Sequence, residues 1–274
     1  LLVMHDWACG LLLLPEEIDA ERGVIREEWR TGANANRRLW KASNPLKYPG
    51  SQYAKRDVIG DTAVINNFKY DALRDYYTKW YGPDNQAIIV VGDINVDEVE
   101  NAIKKLWADV PARSNRGERP LYSVDDNVEP IVAIVQDKEA QQTRVQVDYK
   151  KPKLPKQMRT TNEAYLISIF QRLICDMLDY RFQDLALEPE ASLVVGGAFY
   201  SELVKEKDAF SAVYLAKAGK ETQALNDLLI QLEKMRRYGF NASELERVKT
   251  EMLTQYEKLY NERNTVRNIA YAQE

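Results

Sequence analysis

The stretch "SLVVGGAFYSELVKEKDAFSAVYLAK", residues 192–217, sets the expected fold of the second half of the chain. It contains two runs rich in apolar, β-branched and aromatic residues, 192–201 and 209–217, which predict neighbouring strands in a hairpin-like arrangement. The glycines of "VVGG" at 194–197 interrupt the first run, which indicates a bulge or a close approach of another element to the backbone.

Outward from this hairpin, the sequence predicts long helices mixed with further strands. A helix is expected to begin near Pro15, because acidic residues follow a proline that suits the first helical position. The segment 44–53 contains two prolines and a glycine, and it is expected to break regular structure. Further strands are predicted at 86–94, 130–137 and 143–150, and further helices at 69–81, 95–110 and 160–186, followed by two C-terminal helices, with capping boxes at Asn95 with Glu98 and Asn241 with Glu244.

This order of elements predicts an α+β fold, in which helices pack on one face of a mainly antiparallel sheet. A length of 274 residues with 45% hydrophobic content suits two domains. The segment 111–129 is rich in Pro, Arg, Asn, Gly and Asp, as is typical of a linker. We therefore expect one domain over 1–119, a linker at 120–129 and a second domain over 130–274.

Composition and motifs exclude several classes of function. The net charge is −4 without a basic face, so no nucleic-acid partner is expected, and no apolar run approaches the ~18 residues of a membrane span. Nucleotide-binding, α/β-hydrolase and EF-hand motifs are absent. The single histidine, His5, is expected to be a surface or hydrogen-bonded residue rather than a ligand. Cys9 and Cys175 are expected to be buried thiols rather than a disulfide.

Two glutamates in "ERGVIREEWR", residues 21–30, fall where an amphipathic helix should be apolar. On a helix, Glu21 and Glu28 share a stripe with Ile18 and Ile25, about 10 Å apart along the axis. Burying them would require cations, strong donors or a metal. Alternatively, the helix is exposed and arginines neutralise the acids, and spacing alone favours this second interpretation. The residues expected to turn away from the stripe are Asp19, Arg22, Arg26 and Arg30.

Four segments, in order along the chain, resemble the pitrilysin family of inverted-motif zinc peptidases, which includes insulin-degrading enzyme and the mitochondrial processing peptidases. They are "PEEIDAERGVIREEWR", "PGSQYAKRDVIGD", "LRDYYTKWYGPDNQAIIVVGDINVDEV" and "CDMLDYRFQDLALEP". The resemblance covers essentially the whole chain and looks closest to the long bacterial zinc proteases. It implies two similarly folded sandwich domains, both incomplete in this chain, the first catalytic and the second non-catalytic.

The resemblance also implies site residues. Glu28 matches the family's glutamate ligand to Zn²⁺, and Glu21 matches a second acid that supports the site. The H-x-x-E-H motif that would supply two histidine ligands and the general base is absent. Since the chain begins at Leu1 within an apolar, helix-like pattern, we expect a fragment of a longer polypeptide that is inactive alone.

Two functions are therefore open. The first is a segment of a zinc endopeptidase or oligopeptidase that acts on peptides or unfolded polypeptides, with the remainder of the same polypeptide as partner and with oligomerisation possible. The second is a non-catalytic homologue with a structural or peptide-holding role. The resemblance implies a bacterial periplasmic or envelope location. Tyr180 and Arg181 are expected to pack and pair between layers rather than contact substrate.

Overall fold

A computed structural model describes residues 1–110 and 118–273. Contacts divide the chain into two compact units: unit 1 contains Leu1–Ala33, Asp57–Pro120 and Asn261–Glu274, and unit 2 contains Asn34–Arg56 and Leu121–Tyr260. These units differ from the predicted domains, whose boundaries at 1–119, 120–129 and 130–274 stay a prediction. Residues 111–117, which belong to the segment of linker-like composition, lie outside the described residues.

Unit 1 consists of helices. They are α1 (Leu2–Cys9), α2 (Pro15–Thr31), α4 (Thr62–Asn67), α5 (Tyr70–Trp80), α6 (Val96–Leu106) and α10 (Asn268–Gln273), with a 3₁₀ turn at Pro83–Asn85. The helix predicted to begin near Pro15 is confirmed, with the proline in its first turn followed by Glu16 and Glu17. The capping box of α6 is also confirmed, because the Asn95 side chain accepts a hydrogen bond from the Glu98 N–H at 3.3 Å.

Unit 2 contains a three-stranded antiparallel sheet of order β1-β3-β2. Its strands are β1 (Thr143–Pro152), β2 (Leu193–Val204) and β3 (Lys207–Ala216), so the predicted hairpin is confirmed. Its helices are α3 (Ala35–Lys47), α7 (Asn162–Ala186), α8 (Glu221–Tyr238) and α9 (Ala242–Glu262), with 3₁₀ turns at Gln52–Ala54 and Lys156–Met158. The α+β class, with an antiparallel sheet and long helices, is confirmed.

The core of unit 2 lies between the sheet and helices α7 and α8. Alternate residues of β3 point to one sheet face, and both helices place their buried residues against it. Gly196 of β2 allows this packing, since a Cβ there would lie 2.7 Å from the Tyr214 ring and 3.0 Å from Phe182 Cβ. The predicted close approach at "VVGG" is thus confirmed, with a register irregularity between Leu193 and Val195. The most deeply buried side chains include Leu178, Phe182, Leu193, Tyr214 and Leu228.

Three local predictions are wrong. Residues 86–94 and 130–137 are not strands, and their β-branched side chains include Ile89, 70% exposed, and Ile134, 79% exposed. A strand needs a hydrogen-bonding neighbour, which the described residues do not provide for either segment. The segment 44–53 was expected to be irregular, yet α3 continues to Lys47 through Pro45.

The prediction of free thiols is confirmed, and the prediction of burial is confirmed for Cys175 but not for Cys9. Both cysteines are free; Cys9 is half-buried and Cys175 is buried. Burial raises the pKa of the Cys175 thiol to about 12. None of the helices in the described part of the chain combines the length and apolarity that a bilayer span requires.

Candidate functional site

Helix α2 carries both glutamates, and one face of α5 holds the connection that leads into it. Tyr70, Arg74 and Tyr77 share that face because they are spaced by four and three residues. The buried Tyr77 hydroxyl donates to the Trp7 carbonyl at 3.1 Å and accepts a hydrogen bond from the Leu11 N–H at 3.4 Å. These bonds fix the end of α1 and the start of the α1–α2 connection.

Arg74 holds the last part of this connection. Its Nε and one terminal nitrogen donate to the Leu13 carbonyl at 3.2 and 3.0 Å. Leu13 has a φ of +49°, a left-handed conformation that a leucine adopts at a cost of about 1–2 kcal/mol. Two residues later α2 begins at Pro15. The arginine therefore stabilises the strained turn from which the helix starts.

Arg22 holds the middle of α2. Its guanidinium donates to the main-chain carbonyls of Ile65 and of Phe68, the latter at 2.6 Å, and its Cζ lies 3.8 Å from the centre of the Phe68 ring. Its Nε lies 3.0 Å from Asp19 Oδ1. The prediction that Arg22 turns away from the stripe is wrong. The carbonyl groups at the end of α4 need hydrogen-bond donors, and this side chain supplies them.

Asp19 was also expected to turn away from the stripe, and it is exposed, but it is bonded to α5 as well as to Arg22. The Tyr70 hydroxyl donates to Asp19 Oδ2 at 2.6 Å, and Arg22 donates to Oδ1. The bonds from Tyr70 and then from Arg22 lower the pKa of the Asp19 carboxyl. The bond to Asp19 raises the pKa of the Tyr70 hydroxyl. Sequence spacing of "YDALR" could have indicated a polar face on α5, but not its partners.

Glu21 and Glu28 lie on one side of α2, and both are exposed. Ile18 is buried and Ile25 is half-buried, so the apolar part of the predicted stripe packs inward while the acids do not. Among the described residues neither carboxylate has a hydrogen bond or ion pair. Of the two interpretations that the spacing left open, the structure shows the exposed one, since no described element covers that side of the helix.

Arginines do not neutralise the two acids either. Arg30 pairs with Glu27 at 2.5 Å, and Arg22 pairs with Asp19. Arg26 is exposed, with no polar contact to the described residues. The carboxylates of Glu21 and Glu28 are therefore available to groups beyond the described contacts.

His5 is packed within unit 1. Its Nδ1 lies 3.3 Å from Asp6, and its Nε2 lies 3.4 Å from Cys9 Sγ and 3.7 Å from Asp109 Oδ1. Its ring meets Trp107 edge to face at 5.3 Å. Residues 1–110 and 118–273 contain no group of three His, Cys, Asp or Glu side chains that could hold a metal ion. The described residues thus do not form a complete zinc site by themselves.

In unit 2, Tyr180 and Arg181 pair with α9, which confirms the predicted packing role. Arg181 donates to the Glu244 carboxylate at 2.6 and 2.9 Å and to the Gly239 carbonyl at 2.9 Å. The Tyr180 hydroxyl donates to Glu251. The Asn241 cap of α9 is confirmed, since its side chain accepts a bond from the Glu244 N–H at 2.9 Å.

No sequence pattern indicated the half-buried carboxylate of Asp179 beneath the sheet. Asp179 of α7 accepts a hydrogen bond from the Ala198 N–H of β2 at 2.7 Å. Burial raises the pKa of this carboxyl to about 6, although the Ala198 bond opposes the shift. Its partner, the Ala198 N–H, lies on an edge strand, and the tertiary packing of α7 against that strand brings the two groups together.

A protein-family profile described as the peptidase M16 inactive domain matches residues 67–252. The chain therefore belongs to the peptidase M16 family, which confirms the predicted relationship to the pitrilysin-type peptidases. Glu21 and Glu28 lie before the matched range.

Curated relatives carry the names of proteases. The chain is 26% identical over 246 residues to a probable zinc protease PqqL of Haemophilus influenzae, covering 89% of this chain and 26% of the relative. It is 27% identical over 255 residues to a probable zinc protease PqqL of Escherichia coli, covering 92% of this chain and 27% of the relative. The chain thus spans about a quarter of the length of these relatives.

Solved structures share the fold. The periplasmic protease PqqL from Escherichia coli superposes with a TM-score of 0.82 at 24% identity, over 98% of this chain and 29% of that one. A ferredoxin protease FusC mutant, in complex with Arabidopsis ferredoxin, superposes with a TM-score of 0.74 at 22% sequence identity. The match covers 90% of this chain and 27% of that one. Pitrilysin superposes with a TM-score of 0.61 at 13% sequence identity, over 88% of this chain and 26% of that one.

Proposed function

We propose that this chain is a segment of a longer zinc endopeptidase or oligopeptidase, to which it contributes Glu28 as the anionic metal ligand. The observation that carries the proposal is the exposed Glu28 carboxylate, without a polar partner among the described residues, on a helix that α5 bonds through Tyr70 and Asp19, in a chain of the M16 family. The protease names of its relatives support the reaction class.

The roles within the site follow from the family resemblance and the exposed side of α2. Glu28 would bind the ion through its carboxylate, and Glu21, about two turns earlier on the same side, would orient or neutralise the first ligands. Bound zinc in such peptidases supplies an activated water for attack on the peptide carbonyl. The remaining ligands and the general base would come from residues outside this chain, so the chain alone is expected to be inactive.

The domain assignment belongs to the same proposal. Residues 1–119 would complete the catalytic domain, 120–129 would link the domains, and 130–274 would form part of a second, non-catalytic domain. The substrate would be a peptide or an unfolded polypeptide, and the ferredoxin complex of one structural neighbour supports a polypeptide substrate. A periplasmic location is supported by the description of another neighbour.

A non-catalytic homologue is the second candidate. The description of the matching profile as an inactive domain favours it, and the match leaves out α2. In that case the chain would hold peptides or stabilise an assembly, and Glu28 would have no ion to bind.

Cleavage of a quenched fluorescent peptide library by the full-length protein that contains this chain separates the two candidates. The peptidase proposal predicts cleavage that a chelator abolishes and that added zinc restores, with none from the 274-residue chain alone. We expect Glu28→Gln to abolish cleavage, and Glu21→Gln to lower it about 10- to 100-fold, as loss of an outer-shell partner usually does. Chelator-insensitive cleavage, or none from the full-length protein, would contradict the proposal.

A further inference from the structure

The Arg22 contacts constrain α2 in more than one direction. Two of its donors reach main-chain carbonyls, of Ile65 and Phe68, and its guanidinium plane stacks on the Phe68 ring. Main-chain acceptors of a helix end cannot move as flexible side chains do. A planar fork held by two such acceptors therefore fixes both the rotation of α2 about its axis and its position along that axis.

Small movements of α2 would matter to a ligand carried on it. Glu28 lies six residues after Arg22, about 9 Å along the same helix. A rotation of about 10° would move an atom at the outer helix radius of about 5–6 Å by about 1 Å. Metal–ligand distances tolerate only about 0.2 Å. The rotation of α2 is thus a property that a metal site built on Glu28 would require.

We propose that Arg22 is the positioning residue for Glu28, since its bonds to the Ile65 and Phe68 carbonyls set the rotation at which α2 presents the carboxylate. This inference rests on the proposed function, because it assigns Arg22 a role only if Glu28 binds the ion. Among the described contacts, Arg22 does not reach Glu28.

The other arginines of α2 provide the contrast. Arg26, four residues further on, is exposed and has no polar contact to the described residues. Within the part of the chain that the structure describes, Arg30 pairs locally, with Glu27 of the same helix. Charge on the helix is therefore common to all three residues, whereas anchoring to the carbonyl groups at the end of α4 belongs, among them, to Arg22.

The test uses the full-length protein with Arg22→Met, Arg22→Lys and the control Arg26→Met. Methionine retains an apolar stem without donors, and lysine retains the charge and one donor group without the planar fork. Zinc affinity is measured by competition with a chromophoric chelator, and the Co²⁺-substituted protein is recorded by visible absorption. Steady-state kinetics on one fluorescent peptide separate kcat from KM.

We expect Arg22→Met to lower zinc affinity and kcat about 10- to 100-fold, with KM changed less than about twofold, and to alter the Co²⁺ spectrum. Arg22→Lys should lie between this variant and the unmodified protein, and Arg26→Met should match the unmodified protein. If Arg22→Met does not fold, the same comparison is made with Arg22→Lys.

Unchanged zinc affinity and Co²⁺ spectrum in the folded Arg22 variants, together with a lower unfolding temperature, would overturn the inference and leave Arg22 a purely structural residue. In that outcome, loss of zinc from Glu28→Gln would still support the proposed function. Retention of zinc by Glu28→Gln would remove the proposed function, and the inference with it.

Discussion

Each of the two units is stabilised internally by a different kind of interaction. In unit 2, a continuous core of apolar side chains from α7, α8 and the sheet supplies the packing. In unit 1, the buried apolar side chains among the described residues are Ile18, Ile65 and Tyr77. There, arginine and tyrosine side chains bonded to main-chain groups hold the helices in place.

This difference predicts how each unit responds to the loss of a single hydrogen bond. Burial is non-directional and accumulates over many contacts, so unit 2 should tolerate the loss of any one polar bond. Directional bonds to the main chain fix orientation with little buried area, and they suit a helix that must present a side chain at a defined angle. Unit 1 should therefore be sensitive to the loss of single donors.

The largest effect should come from the core of unit 2. Phe182 is fully buried and meets Tyr214 edge to face at 4.9 Å, so Phe182→Ala should lower the free energy of unfolding by about 3–5 kcal/mol. Phe170 of the same helix is 61% exposed, and Phe170→Ala should change it by about 0.5 kcal/mol or less. Urea denaturation followed by circular dichroism measures both, and equal costs would contradict the assignment of the core to this helix face.

A second effect concerns the half-buried carboxylate of unit 2, Asp179. Because the folded-state pKa of Asp179 is raised to about 6, above its ordinary value of 3.8, the folded state binds more protons between these values and stability falls as pH rises through them. Asp179→Asn retains an acceptor for the Ala198 N–H, and it should remove about 2 kcal/mol of this decrease, less than the shift alone implies because solvent screens a half-buried carboxyl. Urea titrations at pH 4 and 7 test it, and identical pH dependence in both proteins would refute the prediction.

In unit 1, Tyr77→Phe should destabilise by about 1–2 kcal/mol, because it removes the hydroxyl that bonds Trp7 and Leu11. Tyr76 is its neighbour in sequence and is exposed, so Tyr76→Phe provides the control and should cost far less. Amide hydrogen exchange in α1 and at Leu11 should accelerate in Tyr77→Phe alone. Unchanged exchange would argue against single-donor sensitivity in unit 1.

The smallest effects should be equal in the two units. Asn95→Ala in unit 1 and Asn241→Ala in unit 2 each remove a capping box and should each cost about 1 kcal/mol. A cap acts on its own helix terminus, so packing density around the helix should matter little. Thermal unfolding of both variants checks this, and a difference of several-fold would show that tertiary context dominates even at the caps.

Elements with strong local signals were predictable from the sequence. The β2–β3 hairpin, the long α7 and both capping boxes have their determinants within a few residues of one another. Residues 86–94 and 130–137 have the composition of strands, but a strand also needs a partner, which no local pattern supplies. The Pro45 helix shows the converse, since tertiary contacts can override a breaker.

The candidate site was less predictable. Periodicity placed Glu21 and Glu28 on one side of α2 but could not decide whether that side is covered, and only the family resemblance named Glu28 as a ligand. The rotation of α2 depends on where α4 and α5 lie, so Arg22 was assigned to the wrong side. Partners such as Ile65 and Phe68 lie more than 40 residues away in the sequence, beyond any helical repeat.

The most direct test of the central claim is the zinc content of the full-length protein with Glu28→Gln, measured by atomic emission beside Glu27→Gln. Glu27 is the adjacent exposed glutamate and pairs with Arg30, so its variant controls for loss of charge on the same helix. We predict stoichiometric zinc in the unmodified protein and in Glu27→Gln, and loss of most zinc in Glu28→Gln. Stoichiometric zinc in Glu28→Gln would contradict the assignment of this helix to the metal site.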